Sequence, residues 1–260
     1  MGAWGCCLAK KPKQSLAAKD VSGTLQPQHI KAKKGDIAAR VVISGDPARV
    51  AQLSNALAQP RLVNENRGFL TYTGEYEGQD VTVACHGIGG PSAAIVVEEL
   101  TMLGAKAMVR LGSCGGLLKT MKIGDMVIAT GAGYKGGTLD YYFGKKVVPK
   151  PDSELTRLII ASAKDQGARY YAGLVFSSDA FFAEDPNFVR RSTKQGYIAV
   201  EMECATLFGL GKLRRVKTAS MLLVSDNIIE GEPIVDAKAL GEHVTRAGNI
   251  VFTSLNRLKI

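Results

Sequence analysis

The chain has 260 residues, 46 % apolar and 22 % charged, which suits one large domain or two small ones and excludes a fully disordered, collagen-like or coiled-coil chain. No apolar run approaches the roughly 18–20 residues of a membrane-spanning helix. Of the net charge of +9, +6 falls in the first 34 residues, where seven lysines face one acid, Asp20; the rest is nearly neutral and gives no electrostatic case for nucleic-acid binding.

Residues 1–28 are rich in Gly, Ser, Lys, Gln and Pro, show no period and read as a flexible basic tail. From 29 to 260 strand-like and helical segments alternate, with no repeat and no second domain. Residues 40–44 (RVVIS) form a β-branched strand ending in Gly45-Asp46-Pro47, and Pro47 suits the first position of a short helix over 48–57. Strands are expected at 69–75 and 81–85 around a turn at Gly78. A glycine-rich loop at 87–91 leads to Ser92, which is expected to cap a helix over 93–103. Another strand, 107–111, runs into the loop GSCGG at 112–116. Further on come a strand at 125–130, an amphipathic helix at 153–166, a strand at 173–177, a helix at 202–213, a buried strand at 217–224 and a long helix at 236–259. This alternation predicts an α/β sandwich around a mixed or parallel sheet. Ligands of such folds bind at the carboxyl ends of strands, where the segments 45–49, 112–116 and 225–227 fall.

Five cysteines stand at 6, 7, 85, 114 and 204, with no C-x-x-C and no histidine nearby except His86 beside Cys85. The pattern suits neither a zinc site nor a disulfide scaffold, and reduced thiols in the cytoplasm are expected. No secretory signal is expected either.

Four segments can carry chemistry. In Gly45-Asp46-Pro47-Ala48-Arg49, a helix start and a guanidinium can hold a phosphate; the alternative is an ordinary turn with a solvated arginine. In RLGSCGG (110–116), Arg110 ends a buried-looking strand, an expensive place unless it is paired or faces a ligand. Ser113 and the following N–H groups can help hold an anion. Cys114 reads as a packed thiol, since nothing nearby would lower its pKa. In VEMECA (200–205), Glu201 and Glu203 enter an apolar helix, and Glu203 can accept two hydrogen bonds from a vicinal diol such as ribose; the alternative is a helix-start acid favoured by the dipole. In Ser225-Asp226-Asn227, the carboxylate is a general acid or base or a turn residue.

Taken with HIKAKKGD (29–36), NENRGF (64–69), HGIGGPSAAIVVEEL (86–100) and SSDAFF (177–182), these segments resemble the nucleoside phosphorylase family over about 29–257. The family includes hexameric purine nucleoside phosphorylases, uridine phosphorylases and archaeal methylthioadenosine phosphorylases. The resemblance implies a single-domain three-layer α/β/α sandwich around a mixed, partly barrel-like sheet. It implies attack of inorganic phosphate on a ribonucleoside, releasing free base and ribose 1-phosphate, with no cofactor and no metal. Gly45, Arg49, Arg110 and Ser113 would bind phosphate, with Arg67 from a neighbouring subunit. Glu201, Met202 and Glu203 would hold ribose, with His29 of the neighbour at the 5′ position. Cys114, Gly115, Phe181, Val200 and Ser225 would surround the base, and Asp226 would protonate purine N7. A hexamer built of dimers is implied.

The acid at 226 and the absence of an inserted segment between 182 and 200 favour purine over uridine, although that stretch offers Arg190, Arg191 and Gln195. The three arginines favour phosphate over water as the nucleophile. Two departures stand out. The final helix region 236–239 lacks the arginine that pairs with the catalytic aspartate in bacterial purine enzymes, and Asn227 replaces a common histidine. Purine nucleoside and 5′-methylthioadenosine both stay open as substrates. In the tail, Gly2, Cys6 and Cys7 followed by Lys10, Lys11 and Lys13 resemble a dual-lipidation signal that would hold the protein on a membrane; the alternative is a plain basic tail.

Overall fold

A computed structural model describes residues 26–182, 187–236 and 238–260. The lipidation-like motif and almost all of the basic tail lie outside the described residues. The first strand, β1 (Arg40–Ser44), is followed by α1 (Pro47–Ser54). The Asp46 carboxylate caps this helix by accepting from the Ala48 N–H at 2.8 Å, satisfying a donor that has no partner within the helix. Next come β2 (Ala58–Asn64), a 3₁₀ turn at Asn66–Gly68, β3 (Thr71–Tyr76) and β4 (Gln79–Cys85). Helix α2 spans Gly89–Met102 and so starts before the expected Ser92 cap. Ser92 lies inside it and donates its hydroxyl back to the His86 carbonyl at 2.6 Å.

Strand β5 (Ala107–Gly116) is longer than expected and absorbs the whole GSCGG segment. Then follow β6 (Met126–Lys135), α3 (Thr138–Phe143), α4 (Ser153–Asp165), β7 (Tyr170–Ser178), α5 (Phe188–Lys194), β8 (Tyr197–Glu201) and α6 (Cys204–Arg214). The chain closes with β9 (Lys217–Asn227), which likewise takes in Ser225-Asp226-Asn227, and α7 (Gly241–Arg257).

These nine strands belong to one mixed sheet in the order β2-β3-β4-β1-β5-β8-β7-β6-β9, with β5 also pairing β9. That last pairing closes β5, β8, β7, β6 and β9 into a ring, while β1 to β4 extend from it as an open wing. Helices α2, α3 and α6 cover one face around Val97, Leu100, Met108 and Phe208. Helices α1, α4 and α7 cover the other around Val42, Leu111, Ile159, Val251 and Phe252. The fold is therefore the three-layer α/β/α arrangement with a partly closed sheet. Among the described residues no helix is long and apolar enough to cross a membrane.

Two details of the sheet position the site. Side chains alternate along a strand, so Arg110 falls on the Met108 side of β5, facing α2 and α6. The β5–β9 register also slips by one: Cys114 pairs with Val224 but Gly115 pairs with Asp226. Ser225 is the extra residue, and such a bulge re-aims the side chains beside it.

Candidate active site

A cavity of about 750 Å³ opens where β1, β5 and β9 end. It is lined by Gly45, Arg49, Arg110, Ser113, Cys114, Gly115, Phe181, Val200, Glu201, Met202, Glu203, Ser225 and Asp226. The phosphate, ribose and base residues expected from the sequence are thus gathered here, except His29 and Arg67. The backbone of His29 sits against Asn66, the residue before Arg67. Asn66 donates to the His29 carbonyl at 2.9 Å, and the His29 and Phe69 rings meet edge to face at 6.1 Å. The His29 imidazole and backbone are tied to the Glu99 carboxylate, the ring nitrogen at 2.7 Å. Arg67 is exposed and held at φ 56°. Within a single chain neither residue lines the cavity.

Arg110 is almost completely buried and sits between two carboxylates. Glu203 pairs with its Nη2, and Glu201 lies 3.4 Å from its Nη1. The guanidinium folds back over Gly112, where a side chain would overlap it. Burial alone would disfavour the cation, but Glu203 and Glu201 outweigh it and hold the Arg110 pKa above its ordinary value. Burial likewise works against the Glu203 carboxylate, yet Arg110, His86 and the Gly89 N–H keep its pKa below the usual range. The Gly89 N–H donates to Glu203 Oε1 at 2.6 Å and comes from the first turn of α2, where anions are favoured.

Glu201 lines the cavity and is also tied into the chain around it. Its Oε2 accepts the N–H groups of Glu203 and Cys204 at 2.8 and 2.9 Å, and its Oε1 accepts the Ser177 hydroxyl. Both oxygens are engaged in building the entry to α6 and fixing Arg110. Glu203, immediately before α6, reaches across to α2 instead of capping its own helix.

Arg49 is buried beside this cluster with no carboxylate within ion-pair distance among the described residues. Its Nη1 donates a long hydrogen bond, 3.4 Å, to the Leu111 carbonyl. Burial and the neighbouring Arg110 both lower its pKa, and Asp46 only partly compensates. Gly45 belongs to the same corner, where an added Cβ would stand 2.8 Å from the Gly87 carbonyl oxygen. A buried guanidinium that shares a polar cavity wall with a second cation and with Ser113 is built to receive an anion.

At the other end of the cavity, burial raises the Asp226 pKa, and the Ser225 hydroxyl only partly opposes it. Ser225 Oγ lies 2.7 Å from Asp226 Oδ1 and 3.2 Å from the Cys114 carbonyl. It can donate to the charged acid, or turn to Cys114 and accept from the protonated one. Among the described residues no arginine pairs with Asp226; Ile228 and Ile234 line the cavity beside it. Burial pushes the Cys114 thiol far up, which leaves it no nucleophilic role.

Gly87, Ile88, Phe182, Ile228 and Ile234 also line the cavity and were not singled out from the sequence. The HGIGG segment did carry a signal for the first two. The isoleucines of the loop after β9 carried none, because that loop is positioned only by returning to the sheet, with the Val235 N–H bonded to Ser225 O at 2.9 Å. Among the described residues no group of three or more His, Cys, Asp or Glu could hold a metal ion.

A sequence profile of the phosphorylase superfamily matches residues 39–256. A guanosine phosphorylase of Halorubrum lacusprofundi is 34 % identical over 203 residues, which cover 78 % of this chain and 84 % of the relative. A DeoD-type purine nucleoside phosphorylase of Hahella chejuensis is 38 % identical over 210 residues, covering 78 % and 88 %. The crystal structure of a uridine phosphorylase from Vibrio fischeri superposes with a TM-score of 0.82 at 26 % identity, covering 94 % of this chain and 100 % of that one.

The clamp around Arg110 makes Glu201 a stability residue. Replacing it by alanine leaves a buried cation short of a partner and α6 without its cap, a loss of about 3–5 kcal/mol for a broken buried pair. Urea denaturation of Glu201→Ala measures this, and a loss below about 1 kcal/mol contradicts the assignment.

Proposed function

The chain belongs to the phosphorylase superfamily, and from that premise we propose that it cleaves purine nucleosides with inorganic phosphate to free base and ribose 1-phosphate. The observation that carries the reading is the buried Arg49, without a carboxylate partner among the described residues, beside Arg110 in the cavity wall. A phosphate dianion there gains two guanidiniums, the Ser113 hydroxyl and close approach to Gly45. Glu203, fixed by Gly89 and Arg110, keeps lone pairs for the ribose hydroxyls. One phosphate oxygen then faces the anomeric carbon. As the C1′–O bond forms, the C1′–N9 bond breaks and its electron pair moves into the purine ring. Asp226 supplies the proton that neutralises the leaving base at N7, and burial keeps that proton available at higher pH than an ordinary carboxylate would.

Purine is favoured over pyrimidine by the base end of the cavity, where Asp226 stands among Phe181, Val200, Ile228 and Ile234. Of Arg190, Arg191 and Gln195, which offered a pyrimidine reader, Arg191 and Gln195 line a neighbouring cavity of about 480 Å³ that meets the first at Ser178. A second copy of the chain supplies Arg67 to the phosphate and His29 to the 5′ hydroxyl, so the active unit is at least a dimer and the proposed assembly is a hexamer. The 5′ hydroxyl favours an ordinary nucleoside over 5′-methylthioadenosine.

Three outcomes follow. Inosine, guanosine or adenosine releases base only when phosphate is present, and faster than uridine or 5′-methylthioadenosine; release without phosphate, or uridine as the best substrate, overturns the reading. Asp226→Asn loses about 10²–10⁴-fold in kcat on inosine and much less on 7-methylguanosine, whose base already carries the charge. Equal losses on both substrates remove Asp226 from the acid role. Light scattering on active protein gives a dimer or larger; a fully active monomer contradicts the shared site.

A further inference from the structure

Five buried side-chain atoms around the anion pocket have no hydrogen-bond partner among the described residues: Ser44 Oγ, Arg49 Nε, Arg110 Nε and both ring nitrogens of His86. The only other such atom among those residues is Asn256 Oδ1, in α7. Buried polar groups are almost always satisfied, so a cluster of orphans in one place marks a site that something else completes. The arginine atoms belong to groups already assigned to the phosphate. Ser44 and His86 have no role in the reaction as derived so far.

His86 follows β4 directly and is held firmly by its backbone. Its N–H donates to Ser44 O at 2.8 Å, and its carbonyl accepts the Ser92 hydroxyl at 2.6 Å. The ring is wholly buried and lies behind Gly45, where a Cβ on that glycine would stand 3.4 Å from Cε1. Arg110 and Glu203 both act on it electrostatically. Burial, reinforced by Arg110, pushes its pKa down to about 4, so the ring is neutral near pH 7 and offers one donor and one acceptor.

Arg110 is gripped from one side only, by Glu203 and Glu201. Its Nε is buried and has no hydrogen-bond partner among the described residues. An anion arriving in the pocket must compete with Glu203 for the same guanidinium. A polar group behind Gly45 that satisfies Nε would keep the fork facing the anion during that competition.

We propose that His86 is a positioning residue of the phosphate pocket: its buried ring, across Gly45 and on the same face of the sheet as Arg110, keeps the Arg110 guanidinium turned toward phosphate. The inference rests on the phosphorylase reading of the cavity. It assigns His86 no contact with substrate and no proton transfer.

The test compares His86→Leu, which keeps volume without polarity, with His86→Gln, which keeps a donor and an acceptor. The expected result is a phosphate KM raised tenfold or more in His86→Leu, with inosine KM within about threefold of wild type, and recovery of the phosphate KM to within about threefold in His86→Gln. Wild-type phosphate KM in a folded His86→Leu protein overturns the proposal. So does equal impairment of the two variants, which would mark packing as the cause. If His86→Leu does not fold, His86→Ala assayed with and without added imidazole takes its place: the phosphate KM is expected to rise at least tenfold and to fall again with imidazole, and an unchanged KM, or a raised one that imidazole does not lower, overturns the proposal. Wild-type protein that releases base without phosphate refutes the phosphorylase reading itself, a result distinct from failure of the His86 variants.

Discussion

The site depends on how one buried cation is balanced. Arg110 takes both nearby carboxylates, Glu201 and Glu203, and so Arg49 is left buried with none among the described residues. A guanidinium without a counter-charge in a poorly solvated corner is costly, and the cost is relieved when an anion enters. The sheet enforces this arrangement. Alternation along β5 turns Arg110 toward α6, and closure of the strand ring through β8 brings Glu201 level with it. Gly112 leaves the guanidinium room to fold back. On the proposed reading these residues serve opposite ends: Glu201 neutralises Arg110 within the chain, and Arg49 is neutralised by the incoming phosphate.

At the far end the problem is inverted. In the proposed reaction Asp226 gives up a proton, and burial favours its protonated form with no arginine paired to it among the described residues. The β9 bulge at Ser225 matters because it turns Asp226 into the cavity and places a hydroxyl that can follow either protonation state. Ile228 and Ile234 line the cavity with Asp226. Desolvation raises the acid's pKa, whereas a neighbouring arginine would lower it.

Much of this was legible in the sequence where local chemistry dictates it. Asp46-Pro47 signalled a capped helix start, a β-branched run marked β1, an apolar run marked the middle of β9, and the two polar strand ends flagged Arg110 and Asp226. What was missed depended on long-range pairing. Strand β2 (AQPRLVN) is mostly exposed and contains a proline, so it has no apolar alternation to read and exists through its pairing with β3. The five residues of β8 had no room for a period and are held by β7 and β5. Glycine-rich GSCGG has the composition of a loop, yet both of its neighbours in the sheet supply the ladder that keeps it extended. Ser92, just after Gly89-Gly90-Pro91, fits a cap by rule, but the chain enters the helix at Gly89, whose N–H binds Glu203.

The central claim is that Arg49 is an anion receptor rather than a structural cation. Calorimetric titration of inorganic phosphate into the nucleoside-free protein tests it most directly, with Arg49→Ala as the comparison. Loss of a desolvated charge partner is expected to weaken phosphate binding by about 2 kcal/mol or more, roughly 30-fold in Kd, without loss of folded stability. Unchanged phosphate affinity in a folded Arg49→Ala protein would contradict the claim.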